Sequence, residues 1–380
     1  MKIIRTTTVP ESLNIFCRGL LRELREKEGY KVVAVSSPGS ALYEIKARES
    51  VKIYAVPMER HISPLKDLNS LLRMIKVFHT EKPDMVHSMT PKAGLVSMMA
   101  AWITRVPVRV HTFTGLIFPT STGLKKYILM ATDWLTCACA THIIPEGEGV
   151  KNDLLNNGIT HKPLKVLGYG NVRGIDLKRF NPELLSVQTD AAIIRKEDFF
   201  TFIFIGRLVK DKGVNELVRA FSQLNVQYPK TRLLLVGAYE EKLDPLSSET
   251  FFEINNNKNI EAVGPQKDVR PWLAASDVFV FPSYREGFPN VVIEAGAMEL
   301  PSIVTDINGS REIIIEGENG IIIPSKNVNE LYKAMEYMLT HKDVRRYMAN
   351  KTRSLVASRY EQSFVRNCLK RYYKEILCCK

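Results

Sequence analysis

Phe202-Ile-Phe-Ile205-Gly206-Arg-Leu-Val-Lys-Asp-Lys-Gly213 passes from four apolar residues into a basic turn closed by glycine. An apolar run of this length, bounded by a glycine turn, reads as a buried strand feeding a helix. It lies just past the midpoint of the 380 residues, and it restarts a pattern that the first half has already completed. Upstream, strands are predicted at Lys2–Arg5, Lys31–Ser36, Val51–Val56, Met85–His87, Val108–Phe113 and Thr141–Pro145. Helix-period segments lie between them at Ser12–Lys27, Pro64–Glu81, Ala93–Thr104 and Gly123–Cys139. Downstream, strands are predicted at Phe202–Ile205, Arg232–Val236, Ile260–Val263, Val278–Pro282, Ser302–Thr305 and Gly320–Ile323, with helices between and a helical stretch over Val344–Leu377. Such alternation implies parallel β-α-β units, hence an α/β chain of two doubly wound, Rossmann-like domains facing a central cleft. Gly168-Tyr-Gly-Asn-Val-Arg-Gly174, continuing to Pro182, has the composition of a hinge. The expected division is a domain over 1–170, a linker over 171–182, a second domain over 183–360, and a C-terminal helix over 361–380 returning to the first domain.

Composition narrows the class. With 45% hydrophobic and 25% charged residues, and 21 Gly and 19 Pro, the chain is neither collagenous nor disordered. The net charge of +12 is lopsided: residues 1–180 hold 26 Lys and Arg against 15 Asp and Glu, whereas the rest hold 27 against 26. Cys17, Cys137, Cys139, Cys368, Cys378 and Cys379 form no C-x-x-C pair, so neither a zinc site nor a disulfide framework is expected. The start, MKIIRTTTVP, is too short an apolar run for a signal peptide. Ala93–Ile103 falls short of the roughly 20 residues that span a bilayer. A cytoplasmic protein, at most peripheral to a membrane, is the expectation.

In doubly wound sheets ligands sit beyond the carboxyl ends of the strands, which selects two clusters. Arg207 and Lys212, with Gly206, follow the first strand of the second half and precede a helix. They can converge on a phosphate, or be solvated cations of an ordinary turn. Phe281-Pro-Ser-Tyr-Arg-Glu-Gly-Phe-Pro-Asn-Val-Val-Ile-Glu-Ala295 leaves a later strand and enters a helix near Asn290, with Glu286 in the loop and Glu294 in the helix. N–H groups of Gly287, Phe288, Pro289-flanked Asn290 and Val291 suit an anion. A carboxylate beside a phosphate matches the vicinal hydroxyls of a sugar. Two glutamates at this spacing are common on surfaces; the ordered pair of clusters is what gives the pattern specificity.

These ordered motifs resemble the donor domain of retaining, GT-B-fold glycosyltransferases of glycosyltransferase family 4. The similarity extends over nearly the whole chain through SLNIF (Ser12–Phe16), HSMTPKAG (His87–Gly94), HTFTGLIFPTSTG (His111–Gly123) and GNVRGIDLKRFNP (Gly170–Pro182). These stretches are similar to bacterial enzymes that extend lipid-diphosphate-linked sugars for surface polysaccharides. The resemblance implies that Arg207 and Lys212 bind the nucleotide diphosphate, Glu294 the ribose, Glu286 the donor sugar, and the strip Val263-Gly264-Pro-Gln266 the base. It places the acceptor on the first domain, near Ser12, Thr114 and Gly115, and the donor on the second. A UDP-sugar is the implied co-substrate, with no fixed cofactor or metal, and a polyprenyl-diphosphate-linked sugar is the implied acceptor. Transfer would be front-face, the leaving diphosphate oxygen taking the acceptor's proton.

The chain departs from the family in two places. Thr8-Val-Pro-Glu-Ser-Leu13 replaces a common Gly-Gly turn, and Thr114 stands where many relatives have a histidine. A threonine is no base at neutral pH, so either His111 takes a related role or the proton goes elsewhere; the other reading of His111 is a satisfied strand histidine. Leu116–Ala131, with Lys125 and Lys126, and Pro64–Phe78, with Lys66, Arg73 and Lys76, combine apolar and basic residues. Such segments suit an anionic membrane surface, or simply pack on the sheet with their lysines in water. No helix-turn-helix, RNP or zinc-finger pattern accompanies the charge, so nucleic acid is not expected as a partner. Two other classes remain: a UDP-sugar 2-epimerase of related fold, which needs a cleft constellation of histidines and carboxylates, and a non-catalytic nucleotide- or polyanion-binding protein.

Overall fold

The structure, a computed structural model, describes residues 1–59, 63–240 and 244–378; Cys379 lies outside them. The chain divides into two compact units, Met1–Gly174 with Ser363–Lys380, and Ile175–Gln362. In the first unit the strands are β1 (Lys2–Thr6), β2 (Lys31–Ser36), β3 (Lys52–Ala55), β4 (Met85–Met89), β5 (Val108–Phe113) and β6 (His142–Pro145). Its helices are α1 (Pro10–Cys17), α2 (Leu20–Glu26), α3 (Ser40–Glu49), α4 (Pro64–Glu81), α5 (Pro91–Ile103), α6 (Gly123–Cys139) and α7 (Glu148–Asn156). The second unit contains α8 (Leu185–Ile194), β7 (Phe200–Ile205), α9 (Val214–Gln227), β8 (Thr231–Val236), α10 (Ser248–Asn256), β9 (Ile260–Gly264) and α11 (Arg270–Ala274). It continues through β10 (Val278–Phe281), α12 (Asn290–Ala297), β11 (Ser302–Thr305), α13 (Ser310–Ile313), β12 (Gly320–Ile323), α14 (Val328–Thr340) and α15 (Lys342–Tyr360). Helix α16 (Gln362–Cys378) carries the chain back to the first unit.

Each unit is a six-stranded, wholly parallel sheet, with strand orders β3-β2-β1-β4-β5-β6 and β12-β11-β10-β7-β8-β9. The doubly wound expectation is met in both. Phe202, Ile203 and Phe204 of β7 are all 0% exposed, as a central parallel strand covered by helices on both faces requires. Winding reverses between β1 and β4 in one sheet and between β10 and β7 in the other. There the helices following adjacent strands go to opposite faces and leave a crevice.

Local sequence misleads at two helices. Ser12–Lys27 reads as one helix, but α1 and α2 are separated by Gly19 at φ +74°, whose neighbour Arg18 gives its carbonyl to Arg366 of α16. Val344–Leu377 reads as one helix, but α15 and α16 part at Glu361, where Ile175 donates its N–H to Tyr360 O at 2.8 Å and accepts from Gln362 N at 2.9 Å. Both breaks are made by segments distant in sequence. Helices α3 and α7 were not anticipated, since each is short and buries few apolar residues. Cys17, Cys137, Cys139 and Cys368 are buried free thiols, and Cys378 is an exposed one.

Candidate functional site

Two loops flank the reversal point of the second sheet: Gly206–Gly213 after β7, and Pro282–Pro289 after β10. They meet at backbone distance. Gly213 sits at φ +70°, and a Cβ there would lie 2.0 Å from Pro282 O, so only glycine permits both the turn and the approach. Tyr284 N donates to Asp211 O at 2.9 Å, Arg285 Nε to Asp211 Oδ2 at 2.9 Å, and the Tyr284 hydroxyl to Glu216 at 2.7 Å. Burial and the Glu216 carboxylate push the Tyr284 hydroxyl above its ordinary range, so it stays a neutral donor.

This stitching unites two of the residues singled out in the sequence. Lys212 Nζ hydrogen-bonds and ion-pairs with Glu286, both side chains being mostly buried. The same Glu286 oxygen accepts from the buried Ser283 Oγ at 2.9 Å. Arg207, at the other end of its loop, is exposed and pairs with Glu240 from the loop after β8. Glu294 lies half-buried on α12, whose N-cap residue, Pro289, makes no side-chain capping hydrogen bond. Gly206 is held against the loop after β8, because a Cβ on Gly237 would lie 1.8 Å from Gly206 O.

Other expected donor residues take different positions. Phe288 is 5% exposed and packs edge-on against Tyr360 at 5.5 Å, so its ring belongs to the core and only its backbone borders the loop. Val263 gives its carbonyl to Gln266 Nε2 at 2.9 Å, while Gly264 O accepts Gly237 N at 3.0 Å. Val291 packs partly buried against the core. The sequence reading passed over Ser283, Asp211, Arg285, Glu240 and the loop Asp306–Ser310. In that loop Gly309, at φ +74°, lies so close to Gly287 that a Cβ would come within 2.5 Å of its carbonyl oxygen. The one legible signal was the Asn308-Gly309 pair, a turn dipeptide just after a predicted strand.

In the first unit, the corresponding reversal point lies between β1 and β4. The Thr8 and Thr90 hydroxyls are 2.8 Å apart, and Thr8 Oγ1 also accepts Ala93 N at 3.1 Å, joining the turn that replaces the glycine pair to the start of α5. Thr90 holds φ +69°. Ser12 lies in the first turn of α1, and Thr114 and Gly115 follow β5; all three are half-buried. His111 is 1% exposed, its Nδ1 2.8 Å from Ser88 Oγ, and its ring fills space where a Cβ on Gly94 would come within 2.3 Å. Burial lowers its pKa to about 3. Of the two readings offered for His111, this geometry favours the satisfied strand histidine. Among the described residues no cluster of three or more His, Cys, Asp or Glu side chains is placed to hold a metal.

The family description "Glycosyl transferases group 1" matches residues 188–355, and "Glycosyl transferase 4-like domain" matches residues 13–170. A capsular polysaccharide biosynthesis glycosyltransferase, CapM, of Staphylococcus aureus is 31% identical over 377 residues, covering 99% of this chain and 97% of the relative. The chain is a glycosyltransferase of this GT-B, family 4-related group. The glycosyltransferase is also 29% identical over 294 residues, 76% of this chain and 74% of the relative, to an Escherichia coli UDP-Gal:α-D-GlcNAc-diphosphoundecaprenol α-1,3-galactosyltransferase. Its fold matches that of Anabaena HepE, solved with UDP and glucose, at a TM-score of 0.81 and 16% identity over 99% of this chain and 100% of the other. Membership sets aside the epimerase and the non-catalytic readings.

Proposed function

We propose that this glycosyltransferase moves a sugar, with retention of configuration, from a UDP-sugar to a hydroxyl of a lipid-diphosphate-linked saccharide in surface polysaccharide synthesis. The observation that carries the donor half is the Lys212–Glu286 pair at the reversal point of the second sheet. A cation and a carboxylate stand side by side there, where such folds bind ligands, and this supports reading the carboxylate as a partner for sugar hydroxyls. The name of the Escherichia coli relative supports the acceptor class and the choice of UDP, and that of the Staphylococcus aureus relative supports the role in surface polysaccharide synthesis.

In this reading the second unit binds the donor. Arg207 and Lys212 offset the charge that grows on the departing diphosphate, and the N-terminus of α12 adds backbone donors. Glu286 orients the sugar and Glu294 the ribose. The leaving oxygen accepts the acceptor's proton, so catalysis is positioning plus charge stabilisation. A buried, neutral His111 is consistent with a route that uses no histidine base.

The first unit receives the acceptor. No helix among the described residues is long and apolar enough to cross a membrane, yet α4, α5 and α6 pack side by side and expose apolar surface. Among the described residues, ten of the 22 exposed large apolar side chains lie between Leu65 and Trp134, which supports reading this layer as a lipid-facing surface. Leu65, Leu68 and Leu72 form an exposed stripe on α4 opposite its buried Met74, Val77 and Phe78. With Lys66, Arg73, Lys76 and Lys125 exposed nearby in sequence, this suits peripheral binding on the cytoplasmic face of an anionic membrane. UDP release from a panel of nucleotide sugars, with and without undecaprenyl-diphosphate-linked acceptors, tests the assignment. Acceptor-dependent release from one UDP-sugar is the expected result, and its absence across the panel would refute the reading.

A further inference from the structure

Both cations of the donor site are held by carboxylates: Lys212 by Glu286 and Arg207 by Glu240. The two pairs differ in kind. Glu286 is fixed by a second hydrogen bond from Ser283, and its pair is about four-fifths shielded from solvent. The Arg207–Glu240 pair is open, with 56% of the arginine side chain and 29% of the glutamate exposed. Exposed pairs of this kind are weak and easily displaced.

Glu240 is nevertheless well placed. Ahead of it, Ala238 O accepts Leu208 N at 2.8 Å; beyond it, Asp244 accepts Asp211 N at 2.6 Å. The loop after β8 is thereby fastened to the Arg207–Lys212 loop on both sides of the glutamate. A diphosphate arriving on Arg207 would meet the Glu240 carboxylate at the same guanidinium. Two anions a few ångströms apart repel, so the diphosphate and the carboxylate compete for the guanidinium.

Resting on the donor-site reading above, we infer that Glu240 is a built-in competitor for Arg207. It neutralises the guanidinium in the empty site, gives way to the diphosphate of the donor, and re-forms its pair as the nucleoside diphosphate departs. It lowers nucleotide affinity and speeds product release without touching the reacting atoms. This role differs from that of Glu286, whose carboxylate is directed to the sugar.

Titration calorimetry with free UDP on a double-mutant cycle tests the inference. Glu240→Gln keeps the shape and removes the charge; it is expected to bind UDP about fivefold more tightly, the scale of a lost exposed ion pair. In an Arg207→Ala background the same substitution is expected to change nothing. Unchanged or weaker binding by Glu240→Gln would overturn the inference, and so would an equal gain in both backgrounds. Glu240→Ala, read in the same way, guards against a new contact made by the glutamine. Should Arg207→Ala bind UDP as well as wild type, the donor-site reading itself fails and takes this inference with it.

Discussion

Lys212 and Glu286 stand 74 residues apart in the chain and share one ion pair, so their chemistry depends on two loops arriving together. If Lys212 and Arg207 carry the departing diphosphate charge, Lys212→Ala or Arg207→Ala should lower turnover at least about a hundredfold. The melting temperature should hardly move for Arg207→Ala, because that side chain is more than half exposed. Steady-state UDP release with a matched thermal melt checks this. His111 makes the opposite kind of prediction. Its pKa is about 3 in the folded chain, below the ordinary value near 6.5. The unfolded chain therefore takes up the proton first as pH falls, and the stabilisation contributed above pH 6.5 is lost on going down towards 3. Asp133, raised by burial to about 7, works in the other direction, so a difference between two proteins is the cleaner measurement. In urea unfolding, the stability gap between wild type and His111→Asn should shrink by about 1.5 kcal/mol from pH 6.5 to pH 5. A constant gap would mean that His111 is not held neutral.

At the scale of elements, the two loops proposed to bind the donor are set by close backbone contact. Gly213→Ala puts a methyl group 2.0 Å from Pro282 O at a φ of +70°. It should cost on the order of 1–3 kcal/mol from the backbone conformation alone, and more as the two loops part. UDP affinity should fall with it, because Lys212 then loses its place beside Glu286; calorimetry together with denaturation measures both. Helices α4 and α6 make a separate prediction. Replacing Leu65, Leu68 and Leu72 with serine removes exposed side chains, so folding stability should change by less than about 0.5 kcal/mol per site. Flotation with anionic liposomes should nonetheless be lost, and wild-type binding should weaken with salt. Undiminished flotation of the serine variant would leave the stripe as plain solvent-facing surface.

At the scale of the whole molecule, the first unit is completed by the end of the chain. Leu369, Tyr372, Tyr373, Ile376 and Leu377 of α16 join the core formed by β1, β2 and α2. The Tyr373 hydroxyl accepts a hydrogen bond from the wholly buried Arg5 at 2.5 Å. Five such side chains, at about 1.5–3 kcal/mol each, match or exceed the usual net stability of a domain. A chain ending at Gln362 should therefore fail to fold its first unit, which loss of amide protection across β1 and β2 in hydrogen exchange would reveal. Native-like protection there would show that α16 is dispensable.

All twelve strands were legible in the sequence; the central ones are covered on both faces and must be short apolar runs between turns, while the edge strand β3 is only partly buried. The restart of that pattern at Phe202 was enough to count two sheets. The residues proposed for the donor were picked out for a related reason: Arg207, Lys212, Glu286 and Glu294 lie in the segments after strands, and the fold puts ligands where strands end. Tertiary structure alone decided where helices break, since Gly19 and Glu361 mark breaks formed with residues far away in the chain. It alone decided that the ring of Phe288 turns into the core and that His111 is walled in by Gly94. It alone brought Glu240 to Arg207. Periodicity reports which side of its own element a residue occupies; whether that side meets solvent, core or another loop depends on what the rest of the chain places against it.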